Sequence, residues 1–100
     1  MNEELNGYIE RGNSVLRLLD NKDFQDIIMK GYLEDSVLAI SSNLNKISAD
    51  KRNMLVEQLM SRTYTRDYLQ DILNAKASAE QQLADELENA QYDNDNGEND

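Results

Sequence analysis

The chain has 100 residues, of which 39% are hydrophobic, and it contains no Cys and no His. This length suffices for one small domain with a thin core, not for a deep substrate cavity. The missing Cys and His exclude disulfides, thiolate chemistry and the usual zinc sites. We therefore expect no catalytic residues, no metal site and no cofactor, and hence a protein that is not an enzyme.

The formal net charge of −10 at pH 7 is unevenly distributed along the chain. Residues 1–76 hold all ten bases and twelve acids, whereas residues 77–100 hold eight acids and no base. An acidic chain suggests a basic partner or a DNA mimic, but a DNA mimic should carry dense acids on its folded face. The nearly balanced body is typical of an ordinary solvated helical surface.

The N-terminal segment MNEELNGYIERG carries three acids before its first base and lacks an apolar stretch, so we expect no signal peptide. No run approaches ~18 consecutive apolar residues, so we predict no membrane-spanning helix. The default compartment is the cytoplasm.

The first predicted element is a helix that begins after Asn2, a good N-cap, with Glu3 and Glu4 in its first turn. The chain has no Pro, and no strand-like alternation is sustained, so we expect helices and no sheet. One apolar stripe follows at helical spacing, formed by Leu5, Ile9, Gly12, Leu16 and Leu19.

The segment DFQDIIMKGY at 23–32 predicts a short second helix, over about residues 22–30, with both of its ends marked. Asn21 is the N-cap, and Gly31 fits the left-handed position that ends many helices. A hydrophobic contact back onto the last turn often accompanies such an end. We therefore expect a structural corner made of Asn21, Phe24, Ile28, Gly31 and Tyr32.

A third helix is predicted from Leu33 to about residue 46, and a fourth from Ala49 to about Ala90. The fourth would be ~60 Å long at 1.5 Å per residue, with SRTYT at 61–65 as its weakest section. The last ten residues predict a disordered acidic tail. The expected fold is all-α: three short helices packed on one long C-terminal helix, as a helical hairpin or small bundle, in a single domain over residues 1–90.

The distal part of the fourth helix is a predicted interaction surface. Three short helices in a compact arrangement would cover about half of a ~60 Å helix, so its distal stripe would have no intramolecular partner. Pairing with a second copy would bury that stripe, so we predict a weak homo-oligomer. The stripe consists of Leu69, Ile72, Ala79, Leu83 and Leu87.

Other candidate sites are weak. Four of the five tyrosines, Tyr8, Tyr32, Tyr64 and Tyr68, lie on or beside apolar stripes, which favours packing at the core edge over a binding hot spot. Acids interrupt the basic run that includes Arg62 and Arg66, so we expect no direct binding of nucleic acid. The segment DNDNGEND lacks the closing Glu of a calcium loop.

The segment LLDNKDFQDIIMKGY at 18–32 resembles a pattern found in small accessory proteins of tailed bacteriophages, often encoded among head and packaging genes. The matching positions are Leu18, Leu19, Asn21, Asp23, Phe24, Ile28, Gly31 and Tyr32. A second match is YLQDILNAKASAEQQL at 68–83, in the part of the chain where the family has an Ala-rich helix and an acidic tail.

This resemblance implies a non-enzymatic helical protein that acts by protein–protein contact in virion assembly or structure. Its partner would be a phage structural protein or a host protein, and its location the host cytoplasm or the virion. The resemblance supplies no catalytic or ligand-binding residues. An alternative, from the acidic composition, is an inhibitor or DNA mimic that blocks a basic nucleic-acid-binding surface of a host protein.

Overall fold

The computed structural model describes residues 2–98 of the chain and the side chains of residues 2–91. Helix α1 spans Glu3–Asp20, and the last helix, which we label α3, spans Ala49–Glu98. The helical run between them, α2, consists of an α-helical start (Lys22–Phe24), a π-helix (Gln25–Asp35) and an α-helical end (Ser36–Asn43). A 3₁₀ turn at Leu44–Lys46 leads towards α3. Residues 2–98 contain no strand, which confirms the all-α prediction.

Helices α1 and α3 pack antiparallel. The side-chain amide of Asn2 donates a hydrogen bond to the Glu86 carboxylate, and ten residues further along α1 Gly12 lies against Lys76, ten residues back along α3. The two helices therefore keep the same register from Asn2 to Gly12.

The core between these helices is thin and made of small or aliphatic side chains. Leu5 and Val15 of α1 and Ala79 of α3 are buried. Burial of Leu5 and Gly12 agrees with the predicted stripe of α1, but Leu16 is exposed and Val15 is buried in its place. The buried face of a helix drifts because 3.6 residues make a turn, so a three-residue step replaces a four-residue step here.

The predicted corner forms at Asn21 and not at Gly31. Asn21 has an extended backbone (φ −81°, ψ 124°), and its side-chain oxygen accepts a hydrogen bond from the Phe24 amide at 2.9 Å. This bond is the predicted N-cap. The backbone bends there, between α1 and α2, where the cap begins a new helix.

The prediction that Gly31 ends a helix in the left-handed conformation is wrong. Within the described residues no glycine has a positive φ, and Gly31 lies inside the π-helix. Leu33, two residues further along the π-helix, is buried, and Met29 one turn before it is half-buried.

Helices α1 and α2 cover successive parts of α3. Tyr32, at the middle of α2, contacts α3 beyond the part that pairs with α1. Its hydroxyl forms a hydrogen bond with the hydroxyl of Ser61. The turn after α2 then returns to the start of α3, where Arg52 donates to the carbonyls of Leu44 and Ile47. The fold is therefore an elongated helical hairpin, with a longest dimension of 77 Å.

Because α1 and α2 lie end to end along α3, most of the predicted interaction surface is covered. Ala79 is buried, and three other members, Leu69, Ile72 and Leu83, are half-buried. The premise that the distal stripe lacks an intramolecular partner is therefore wrong, because α1 covers it. Leu87 alone of the five remains 63% exposed, since α1 begins opposite Glu86.

Helix α3 also extends further than its sequence predicts. It continues past Ala90 to Glu98 and so takes in most of the segment 91–100, for which we expected no structure. No Pro interrupts this part of the chain, and Gly occurs only at position 97. Asn99 and Asp100 lie outside the described residues.

Candidate interaction surface: a tyrosine groove along α3

Two adjoining open grooves run along one flank of α3, with volumes of about 470 and 310 Å³. Tyr68 lines both, so the two form one continuous surface, which we call the tyrosine groove. The first part is lined by Glu57, Ser61, Tyr64, Thr65 and Tyr68. The second part is lined by Tyr8, Arg11, Tyr68, Asp71, Ile72 and Ala75.

The groove follows from helical periodicity. Its members on α3 include Glu57, Ser61, Tyr64, Tyr68, Ile72 and Ala75, which recur at steps of three and four residues and therefore share one face. This face is about 27 Å long, at 1.5 Å per residue. It lies beside the face that packs on α1, and α1 itself supplies Tyr8 and Arg11 as a wall.

Aromatic rings at the groove are exposed to solvent. Tyr8 is 42% exposed, Tyr68 56% and Tyr64 61%. The interpretation that these tyrosines pack at the core edge is therefore wrong for all three, and it holds for Tyr32, which is half-buried. The nearby Met60 is also exposed, so the flank offers a connected patch of aromatic and apolar atoms.

A contact between α2 and α3 supports the groove from behind. Ser61 and Thr65 line the groove and also lie against the Tyr32 hydroxyl. The Arg62 guanidinium carbon lies 4.6 Å from the centre of the Tyr32 ring, within cation–π range. Hydrogen bonds from Ser61 and Thr65 lower the pKa of Tyr32 below its usual 10.0, and the positive charge of Arg62 lowers it further, against the opposing effect of burial.

Two arginines of α3 tie the π-helix and the residue after it to α3. Arg66 donates a hydrogen bond of 2.6 Å to the carbonyl oxygen of Leu33, whose side chain is only 1% exposed. Arg62 donates to the hydroxyl of Ser36 and to the carbonyl oxygen of Gln58. These bonds hold the π-helix and Ser36 against α3. We therefore expect the backbone beside the first part of the groove to be rigid.

The charges around the groove are mostly acidic. Arg11 is the one base that lines it, and its guanidinium donates to the Tyr68 hydroxyl at 3.1 Å. The hydroxyl of Tyr8 donates to Glu4 at 3.4 Å. Lys76 and Glu80 form the one ion pair among the side chains of residues 2–91, so neither Glu57 nor Asp71 is ion-paired with a described side chain.

A separate groove lies where α1 begins. Its volume is about 390 Å³, and it is lined by Asn2, Asn6, Leu83, Glu86, Leu87 and Ala90. It contains the two distal residues of the predicted interaction surface. The tyrosine groove was missed because its signal, Tyr64 and Tyr68 one turn apart on α3, is also typical of core-edge packing.

The part of the chain that the structure describes holds no group of three or more Asp or Glu side chains arranged to bind a metal ion. None of its helices combines the length and the apolar character that crossing a membrane requires. No protein-family model, curated protein or solved structure matches the chain.

Proposed function

We propose that this chain is a non-enzymatic binding protein that recognises a partner protein through the tyrosine groove. The observation that carries the proposal is the exposure of Tyr8, Tyr64 and Tyr68 along one continuous surface. Tyrosine is enriched at binding hot spots, because its ring buries a large area while its hydroxyl keeps a polar contact. Its few rotatable bonds also keep the entropy lost on binding small.

The support behind the groove favours the same function. Tyr32 and Arg66 fasten α2 to α3 where the groove is lined by Ser61 and Thr65. A surface that is already ordered loses less conformational entropy on association than a mobile one, so more of its contact energy contributes to affinity.

In this proposal the partner belongs to a phage assembly process. The resemblance of residues 18–32 to small accessory proteins of tailed phages supports a role in virion assembly or structure, within the infected host cell. The matching segment contains Asn21 and Tyr32, which place α2 against α3 and so form the groove's support. The partner would then be a phage structural protein.

The second candidate is an acidic inhibitor that covers a basic nucleic-acid-binding surface of a host protein. It is favoured by the eight acids and absence of bases in residues 77–100. The two functions use different parts of α3: the assembly function needs the tyrosine groove, and the inhibitor needs the acidic C-terminal quarter.

Affinity capture from phage-infected cells tests the proposal. The wild type is compared with Tyr64→Ser/Tyr68→Ser and with Ile27→Ser, a control that removes an exposed apolar side chain of α2 outside the groove. We expect a virion component that is captured by the wild type and the control and lost with the tyrosine variant, while circular dichroism shows all three folded.

Capture of the same proteins by all three chains would contradict a role for the groove. A captured host nucleic-acid-binding protein that is retained by the tyrosine variant, and lost after Asp85→Asn/Glu88→Gln, would favour the inhibitor instead.

A further inference from the structure

We propose that the occupant of the tyrosine groove is an amphipathic helix of the partner protein, with Arg or Lys side chains beside its apolar face. This inference rests on the proposed function and names the chemistry of its partner. The shape of the groove is the first argument. It is about 27 Å long, the length of a helix of about 18 residues.

The lining of the groove matches the two kinds of side chain on such a helix. Ile72 and Ala75 form an apolar floor next to Tyr68. An apolar face of the partner helix would be buried against this floor, as in other complexes in which a helix lies in a groove.

Charge complementarity indicates that the partner helix is positively charged. Glu57 lines one part of the groove and Asp71 the other, and neither has an ion-pair partner among the described side chains. The one lining base, Arg11, keeps its positive charge while it donates to Tyr68, so the lining carries two negative charges and one positive charge. A basic helix would place cations near the two carboxylates, which favours fast and specific association.

The tyrosine rings favour cations for a second reason. Among residues 2–91, the only cation–π contact is that of Arg62 with the Tyr32 ring. The ring of Tyr64 is more exposed and is therefore available to a cation from outside the chain. The face of a tyrosine ring attracts a guanidinium or an ammonium group through its quadrupole.

A second copy of the chain is a poorer occupant. Each copy carries a net charge of −10, so two copies repel each other. The bases of a second copy lie in residues 1–76, and some of them, including Arg62 and Arg66, already donate to atoms of their own chain.

Synthetic helical peptides of about 18 residues provide the test. One peptide carries a leucine stripe flanked by Arg, a second has citrulline in place of each Arg, and a third has Glu. Binding to the full-length ¹⁵N-labelled chain is followed by amide chemical-shift changes at low salt. We expect the Arg peptide to bind about tenfold or more tightly than the citrulline peptide, with the largest shifts around Tyr64 and Tyr68.

Two double variants, each of which removes two negative charges, show which carboxylates cause the preference for the Arg peptide. Glu57→Gln/Asp71→Asn should remove the preference for the Arg peptide. Asp85→Asn/Glu88→Gln changes the net charge equally but lies outside the groove, so it should keep the preference. Tyr64→Ala should weaken binding of the Arg peptide in the otherwise unchanged chain.

Equal binding of the Arg and citrulline peptides, or no binding of either, would overturn the basic-helix proposal. Equal weakening by both charge variants would overturn it as well, because attraction to the whole chain would then suffice. A dimer in sedimentation equilibrium that is lost with Tyr64→Ala would show a second copy as the occupant. If cell capture still depends on Tyr64 and Tyr68 while the Arg peptide fails, the proposed function stands and this inference does not.

Discussion

Gly12 of α1 lies directly against the side chain of Lys76 on α3, so closely that a Cβ atom at position 12 would overlap the β, γ and δ carbons of the lysine. The Lys76 side chain is only 19% exposed, and its ammonium group pairs with Glu80 one turn along α3. The polarity of a lysine suggests that it would interrupt the apolar stripe of α3. Lys76 does not interrupt it. Its aliphatic stem fills the space that glycine leaves, and its charge reaches solvent.

The first prediction is that Gly12→Ala destabilises the hairpin. Alanine improves helix propensity by up to ~1 kcal/mol, but overpacking at a tight contact costs about 1–3 kcal/mol. We expect a net loss in the free energy of unfolding measured with urea. In a Lys76→Gly background, which lacks the overlapping β, γ and δ carbons, Gly12→Ala should instead gain up to ~1 kcal/mol from helix propensity.

Gly7→Ala is the matched control for this prediction. Gly7 lies in the same helix, and a Cβ atom there would have no neighbour within 4 Å. This variant should gain up to ~1 kcal/mol from helix propensity. Stabilisation by both single variants would show that α1 and α3 do not approach closely at Gly12.

The second prediction distinguishes a π-helical Gly31 from a left-handed helix end. In a helix interior alanine is favoured over asparagine by about 0.5 kcal/mol, whereas asparagine tolerates the left-handed conformation better. Both replacements place a Cβ atom near the Asp26 carbonyl oxygen, 3.2 Å away, so this strain cancels in the comparison. We expect Gly31→Ala to melt at a higher temperature than Gly31→Asn, and the reverse order would indicate a helix end.

The third prediction concerns the hydrogen bond from Arg66 to the Leu33 carbonyl oxygen. Loss of a hydrogen bond from a charged donor costs about 1–3 kcal/mol, so Arg66→Ala should destabilise the chain and loosen the π-helix. Faster hydrogen exchange of the amides in Gln25–Asp35 would report the local effect.

Arg17→Ala is a suitable control for Arg66. Arg17 donates to the exposed hydroxyl of Ser14 within α1, so its removal should change stability by no more than about 0.5 kcal/mol. If both variants have the same stability and the same exchange rates, Arg66 does not hold α2 against α3.

The fourth prediction is a pH dependence at Tyr32. Folding lowers the pKa of Tyr32 below 10.0, chiefly through its hydrogen bonds to Ser61 and Thr65, so folding favours the phenolate. The stabilising contribution is absent below the lowered pKa, grows as pH rises through it and is complete above pH 10. The difference in unfolding free energy between wild type and Tyr32→Phe should therefore shift in favour of the wild type at alkaline pH.

Replacement of Ser61 provides the check on the cause. Ser61→Ala removes the largest contribution to the shift, so the pKa of Tyr32, measured by NMR titration, should move back towards 10.0. A pKa that is unchanged in this variant would contradict the hydrogen bond between the two hydroxyls.

Several features of the fold were predictable because their causes lie within a few residues. The N-cap at Asn21 needs only its own side chain and the Phe24 amide, and the start of the long helix at Ala49 needs only the local sequence. Helix content follows from the absence of Pro and of strand-like alternation. These local signals sufficed for an all-α chain with a long last helix.

Contacts between distant residues decided the rest. Gly31 is compatible with a helix end and with a helix interior, and its place inside the π-helix accompanies the long-range hydrogen bond from Arg66 to the Leu33 carbonyl oxygen. In the same way, the pairing of Asn2 with Glu86 places α1 over the distal part of α3 and buries Ala79 there. The flank with Tyr64 and Tyr68 is left exposed as a result. Periodicity identifies the apolar faces of a helix, but the lengths and order of its partners determine which of those faces is covered.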